Sequence, residues 1–356
     1  MIASALLPFA LDVSISNVLP RRDVNGAILD AHDSKLVLHD GLYHWFAASY
    51  GTCKEPSNSR TGCVGGPVGS CGFRQDHNVT LFTSPDLAIW TRVGVVFQAA
   101  AALPPQSSLF APKTIFNPRT HKWVLWFNYI QMNDFGRSYY AVATSEHAIG
   151  PFRIVNPNVT SLGHVTDNGD LNLFVDDDGT GYIIYTNIHP AHHAMSIERL
   201  TPDFTESLGS RASSGLFGER YVEAPMMFRR GAFYYAVFGR CCCYCEAGSV
   251  VTVYTSTSPL GPYVQRQSLG NLHSQSTDIF KYKDARGNSQ YMYIGDHWQS
   301  APDGIKGHDF TVWAPLFFSA DGQNVSTAGF QNAFRVSVEL YGRAAPGSPG
   351  YGDESD

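Results

Sequence analysis

Five times along this chain, a short strand rich in Val, Ile, Leu, Phe and Tyr runs into a polar turn and then a second, more aromatic strand. Asp33-Ser-Lys-Leu-Val-Leu38 leads through His-Asp-Gly to Leu42-Tyr-His-Trp-Phe-Ala47. Ala111-Pro-Lys-Thr-Ile-Phe116 leads to His121-Lys-Trp-Val-Leu-Trp-Phe127, and Asp170-Leu-Asn-Leu-Phe-Val175 to Tyr182-Ile-Ile-Tyr-Thr186. The fourth copy pairs Val222-Glu-Ala-Pro-Met-Met-Phe228 with Ala232-Phe-Tyr-Tyr235, and the fifth Gln275-Ser-Thr-Asp-Ile-Phe280 with Gln290-Tyr-Met-Tyr-Ile-Gly-Asp296. Further strands follow in each copy, and helical periodicity is almost absent. A unit of this kind cannot bury its apolar faces alone, whereas five arranged radially can. The pattern therefore predicts an all-β fold, a five-bladed β-propeller with four-stranded blades. No linker divides it, so residues 30–341 form the propeller, 1–29 a lead-in and 342–356, rich in Gly, Pro and Ser, a disordered tail.

With 356 residues, 44% hydrophobic and only 16% charged, the chain easily buries such a core. A net charge of -6 without a Lys/Arg block argues against nucleic acid and membrane surfaces as partners. No apolar run approaches the roughly 20 residues that span a bilayer. A monomer is expected. The seven cysteines fall in two groups, Cys53, Cys63 and Cys71 in one Gly-rich loop and Cys241, Cys242, Cys243 and Cys245 in another. Disulfides stapling the two loops are favoured over free thiols, and both over a metal site, because adjacent cysteines do not readily aim both thiolates at one tetrahedral ion. Sequons at Asn78, Asn158 and Asn324 agree with secretion, although the apolar start Met1–Leu11 lacks a basic n-region.

In a propeller the first strand of each blade lines the central channel. The residues opening these strands are Asp33, the Ala111-Pro112 step, Asp170, Glu223 and Gln275. Three carboxylates and an amide recurring in phase point to a site at one mouth of the channel.

These stretches resemble a known family. Asp33-Ser-Lys-Leu, Asp170-Leu-Asn-Leu-Phe-Val-Asp-Asp-Asp-Gly-Thr-Gly-Tyr182 and Val222-Glu-Ala-Pro225 look like the three acid motifs of glycoside hydrolase family 43, over about Asp30 to Val338. Ala31-His32, Ser274-Gln275-Ser-Thr277, Tyr293-Ile-Gly-Asp-His-Trp298 and Val312-Trp-Ala-Pro-Leu316 are similar to its exo-β-1,3-galactanase branch. The resemblance implies an inverting, exo-acting enzyme on oligo- or polysaccharide of the β-1,3-galactan or arabinogalactan type. Members of that branch typically lack the first Asp, and the Gln of the Ser-Gln motif is taken as base; this chain has both Asp33 and Gln275. An α-L-arabinofuranosidase, a β-xylosidase and a non-catalytic glycan-binding propeller are the alternatives.

Inversion needs a carboxylic acid to protonate the leaving oxygen and a carboxylate across the sugar to activate water. Glu223 is the expected acid, its pKa raised by its apolar surroundings, and Asp33 the expected base. Asp170 is the third carboxylate, orienting the acid and acting on it by like charge. Gln275, His32, Trp298, Trp313 and Trp126 are the expected substrate contacts, with core packing the competing assignment for each tryptophan. No cofactor is required, no metal ligand set is expected, and the sequence leaves open a structural cation on the axis. Asp176, Asp177 and Asp178 read as a hairpin turn, with Gly179 and Gly181 supplying its geometry.

Overall fold

The computed structural model describes residues 10–54, 71–131, 138–164, 167–189, 192–240 and 248–340. After an N-terminal strand β1 (Ala10–Ser16), four antiparallel sheets follow in chain order. The first is β2 (His32–His39), β3 (Leu42–Ser49), β4 (Asn78–Ser84) and β5 (Thr91–Gln98). The second is β6 (Ser107–Asn117), β7 (Lys122–Gln131), β8 (Ser138–Ser145) and β9 (Arg153–Asn156). The third is β10 (Asn168–Val175), β11 (Gly181–Asn187), β12 (Ala194–Arg199) and β13 (Ser213–Phe217). The fourth is β14 (Val222–Arg230), β15 (Phe233–Arg240), β16 (Val250–Ser256) and β17 (Val264–Asn271). A fifth sheet holds β18 (Gln275–Lys283), β19 (Ser289–His297) and β20 (Phe310–Pro315). The short pair β21 (Phe317–Phe318) and β22 (Val325–Ser326) precedes the final strand β23 (Ala333–Glu339).

The inner strands contact one another in a closed ring, β2 to β6, β10, β14, β18 and back to β2. This is a five-bladed propeller. Its core lies between blades, where facing sheets interdigitate aromatic side chains. Trp45, Trp90, Trp313 and Phe280 fill the join between the first and last blades, and Phe46, Trp123, Phe127 and Phe152 the join between the first and second. Burying such rings supplies the main driving force for closure.

The lead-in is part of the fold rather than an appendage. β1 pairs antiparallel with β23, and its Val13 and Ile15 enter the core between the first and last blades. Just beyond it, the Asn17 side chain accepts from Trp313 N at 2.8 Å and donates to Trp313 O at 2.9 Å. Arg21 stacks its guanidinium over Trp313 and donates to Thr311 O at 2.7 Å. The start of the chain thus covers the open edge of β20, where the other blades have a fourth strand, and satisfies that edge's backbone groups. Residues 1–9 and the tail 342–356 lie outside the described residues.

The Asp176 turn forms as the sequence suggests: Asp176 N bonds to Thr180 O at 2.9 Å and Gly179 adopts φ +79°. Asp176 additionally ties blades three and four, accepting from Arg229 at 2.7 Å and Tyr234 at 2.6 Å.

Candidate active site

The inner strands share one irregularity. In each, the ladder to the second strand carries one extra residue near the strand's start: between His32 and Lys35, Phe110 and Lys113, Asn168 and Leu171, Glu223 and Met226, and Ser276 and Asp278. A β-bulge bends its strand and re-aims the side chains beside it. The acids do not hold strictly equivalent positions, as their alignment in the sequence suggests. Asp33 is the first residue of its bulge, Asp170 the second of its own, and Glu223 the last paired residue before one. Bulges, rather than perfect repetition, bring them to one mouth.

Three of the bulges place a non-glycine residue in the left-handed region, Asp33 at φ +50°, Ala111 at φ +44° and Ala224 at φ +54°. Such backbone costs on the order of 1–3 kcal/mol and persists where its surroundings hold it. At Asp33 and Ala224 carboxylates do so. Asp296 Oδ2 accepts from Asp33 N at 2.8 Å, and Asp170 Oδ2 accepts from Ala224 N at 3.1 Å. Asp170 therefore fixes the turn immediately after Glu223. Tyr50 donates its hydroxyl to Asp33 Oδ2 at 2.6 Å, fixing that carboxylate in turn.

Glu223, 5% exposed, accepts at Oε1 from Gln275 Nε2 at 3.2 Å. Trp298 Nε1 donates to Gln275 Oε1 at 2.8 Å. An indole N–H is only a donor, so it assigns oxygen and nitrogen within the Gln275 amide. The amide oxygen belongs to Trp298 and the NH₂ faces Glu223.

The charges converge. Burial first, then the negative charges of Glu223 and Asp33, push the Asp170 carboxyl well above its ordinary range, against Lys113 and the Ala224 N–H. Burial and the charge of Asp296 also raise Asp33, opposed by the Tyr50 hydroxyl, Lys113 and His32. The mouth therefore retains a proton at a pH where isolated carboxylates have lost theirs. For His32, burial disfavours the imidazolium, but the hydrogen bond to Asp296 and the charges of Asp296, Asp30 and Asp309 prevail and hold it up at about 9.

The ammonium of Lys113 sits among the blades beneath this mouth. It donates to Asp33 O at 2.9 Å, Ser34 O at 2.7 Å and Thr277 O at 2.9 Å. Lys35 pairs with Asp278 at 2.8 Å, and Asn172 bonds Thr277 O at 3.0 Å. Four blades thus meet through polar groups across the channel. A separate cavity of about 440 Å³, lined by Leu36, Ile115, Leu173, Met227 and Ile279, opens at the far ends of the inner strands. It is remote from the carboxylates and lies outside the candidate site.

Glu223, Asp170, Asp33 and Gln275 are brought together. Four expected substrate contacts are not substrate contacts. His32, Trp126, Trp298 and Trp313 are each 0% exposed, so no sugar face can reach them. Trp126 donates to Phe204 O at 2.7 Å within the core between blades two and three. Trp313 packs against Trp45, Trp90 and Phe280. Trp298 and His32 lie one layer under the site, ring centroids 5.1 Å apart, and act on it through Gln275 and Asp296. His308 pairs with Asp303 at 2.7 Å.

The residues that sequence reasoning did not assign to the site are Tyr50, Lys113 and Asp296. Asp296 lies inside the quoted Tyr293–Trp298 motif, and Lys113 follows the Ala111-Pro112 step in the one copy that opens on neither acid nor amide. Tyr50 gave no signal, because its role depends on the loop after β3. That loop is closed by a Cys53–Cys71 disulfide, as expected for the first cysteine cluster. Cys63 and the cluster from Cys241 to Cys245 lie outside the described residues.

Comparison with known proteins agrees with the geometry. The model of glycosyl hydrolases family 43 matches residues 70–293. A beta-D-galactofuranosidase of Aspergillus niger is 23% identical over 278 residues, 72% of this chain and 76% of that enzyme. An arabinoxylan arabinofuranohydrolase of Bacillus subtilis is 27% identical over 152 residues, 35% of this chain but only 28% of its own length. Among solved structures, an exo-beta-1,3-galactanase from Clostridium thermocellum superposes with a TM-score of 0.74 at 22% identity, over 92% of this chain and 67% of that one. The propeller, its cluster of carboxylates and the family match together make this chain a member of glycosyl hydrolases family 43.

Proposed function

We propose that the protein is an inverting, exo-acting glycosidase on β-1,3-galactan or arabinogalactan-type chains, with Glu223 as acid and Asp33 as base. The observation that carries this reading is the placement of the two carboxylates on non-neighbouring blades, one and four, around one channel mouth. Inversion needs that separation, since a water and the sugar must fit between them. Glu223 gives its proton to the glycosidic oxygen as the C1–O bond breaks. Water attacks C1 from the other face and passes its proton to Asp33. Asp170 orients the turn after Glu223, and its own carboxyl lies in the field of both Glu223 and Asp33.

Asp33 is preferred to Gln275 as base on hydrogen-bonding grounds. An amide oxygen is a far weaker base than a carboxylate, and the Gln275 oxygen already accepts from Trp298. Gln275 instead serves as a donor to Glu223. Trp298→Phe removes the donor that orients the amide and should lower kcat about fivefold, the worth of one hydrogen bond of about 1 kcal/mol, with KM little changed. Steady-state kinetics on β-1,3-galactobiose checks this.

The galactanase and galactofuranosidase relatives favour a galactosyl substrate, and the arabinofuranohydrolase keeps arabinose release as the second reading. Sugar release from arabinogalactan, β-1,3-galactobiose and aryl arabinofuranosides and xylosides separates them: galactose is expected, whereas arabinose alone would replace the substrate assignment. Binding without turnover would instead favour a non-catalytic glycan-binding propeller. Secretion fits the Cys53–Cys71 bridge and the exposure of Asn158 and Asn324, while the Asn78 side chain is occupied by Asp76 O and Ala99 N.

A further inference from the structure

We propose that the Lys113 ammonium is the axial cation of this propeller, a charge supplied by the chain itself that holds the Asp33 turn and favours the ionised Asp33 carboxylate. The inference rests on Asp33 being the base. Three carbonyl oxygens, two from blade one and one from blade five, surround Nζ at 2.7–2.9 Å. Three donors are the full capacity of an ammonium; a neutral amine has two and would release one carbonyl. Carbonyl oxygens converging from separate strands also form the kind of oxygen cage that holds a free cation. At 2% exposure, Lys113 fills it from blade two.

The position explains two features at once. Two of the three carbonyls belong to Asp33 and Ser34, the bulge whose left-handed backbone aims the Asp33 carboxylate. The same charge favours the ionised forms of Asp33 and Asp170. Lys35 on β2, Asp278 on β18, Asp296 on β19, Asp170 on β10 and Glu223 on β14 are charged groups around this layer, with His32 beside Asp296 and the titratable Tyr50 and His77 facing Asp33. Burial, only partly offset by Asp278, Asp33 and Asp296, brings the Lys113 pKa down to about 8, so the cation is present at neutral pH.

The test uses two variants of the full chain. In Lys113→Met, Asp33 loses a positive neighbour, so its pKa rises. A base must be ionised, so the acidic limb of kcat/KM on β-1,3-galactobiose should move up by about one pH unit, costing about tenfold below the limb. Lys113→Ala should gain thermal stability from propylammonium chloride beyond that given by sodium chloride at equal ionic strength, whereas the wild type should not. An unmoved acidic limb in a folded Lys113→Met, or no specific propylammonium effect on Lys113→Ala, would overturn the proposal. So would failure of both variants to fold at any propylammonium concentration. The thermal measurement needs no substrate, so a wild-type protein inactive on galactobiose would count against the substrate assignment alone.

Discussion

Glu223→Gln is expected to lower turnover of β-1,3-galactobiose by about 10²–10⁴-fold, the usual contribution of a general acid, while KM and the melting temperature change little. The variant keeps an oxygen able to accept from Gln275 Nε2 and keeps the side-chain volume, but it has no proton to give. The defect should therefore depend on the leaving group. A nitrophenolate departs without protonation, so an aryl galactoside with a low leaving-group pKa should lose far less than the disaccharide does. Equal losses on both substrates would mean that Glu223 positions sugar rather than donating a proton.

Asp33→Asn should cost a similar order of magnitude, about 10²–10⁴-fold, with the opposite dependence. In the proposed mechanism it takes a proton from water, so a better leaving group should not restore the rate. Azide, a small nucleophile that needs no deprotonation, should. Asn tolerates left-handed backbone well and keeps an oxygen for the Tyr50 hydroxyl, so the turn should survive the change. A nearly silent Asp33→Asn, together with loss of activity in Gln275→Ala, would transfer the role of base to the amide.

The fold was largely legible because a radial repeat writes itself into the sequence five times. Alternating apolar strands and Gly-containing turns fixed the blade order, and acids recurring near the start of the inner strands marked the mouth, although their exact phase differs from blade to blade. Three features were hidden for physical reasons. The fifth blade lacks a paired fourth strand because Asn17 and Arg21, nearly three hundred residues away in sequence, cover its edge. No local pattern announces so distant a partner. The bulges were invisible because one inserted residue barely disturbs an alternation, yet it decides whether Asp33 or Ser34 turns towards the channel. The tryptophans misled because an aromatic residue in a strand reads alike whether it packs between blades or faces a ligand. Burial distinguishes them, and burial is a property of the assembled ring.

Lys113 shows the same limit from the other side. The second copy looks deficient beside its neighbours, with Ala111-Pro112 where others carry an acid or an amide. Its contribution lies one residue further on, beyond the bulge, and has the opposite charge. A cluster of Asp33, Asp170, Glu223, Asp278 and Asp296 around one channel needs positive charge close by, and Lys113, Lys35 and His32 provide it.

The proposed assignment of acid and base to separate blades is most directly tested by the stereochemistry of the first product. Proton NMR of β-1,3-galactobiose hydrolysis, followed from the first minutes before mutarotation, should show α-galactose from the non-reducing end appearing ahead of the β-anomer. Initial release of β-galactose would contradict inversion and require the two carboxylates to work through a covalent intermediate instead.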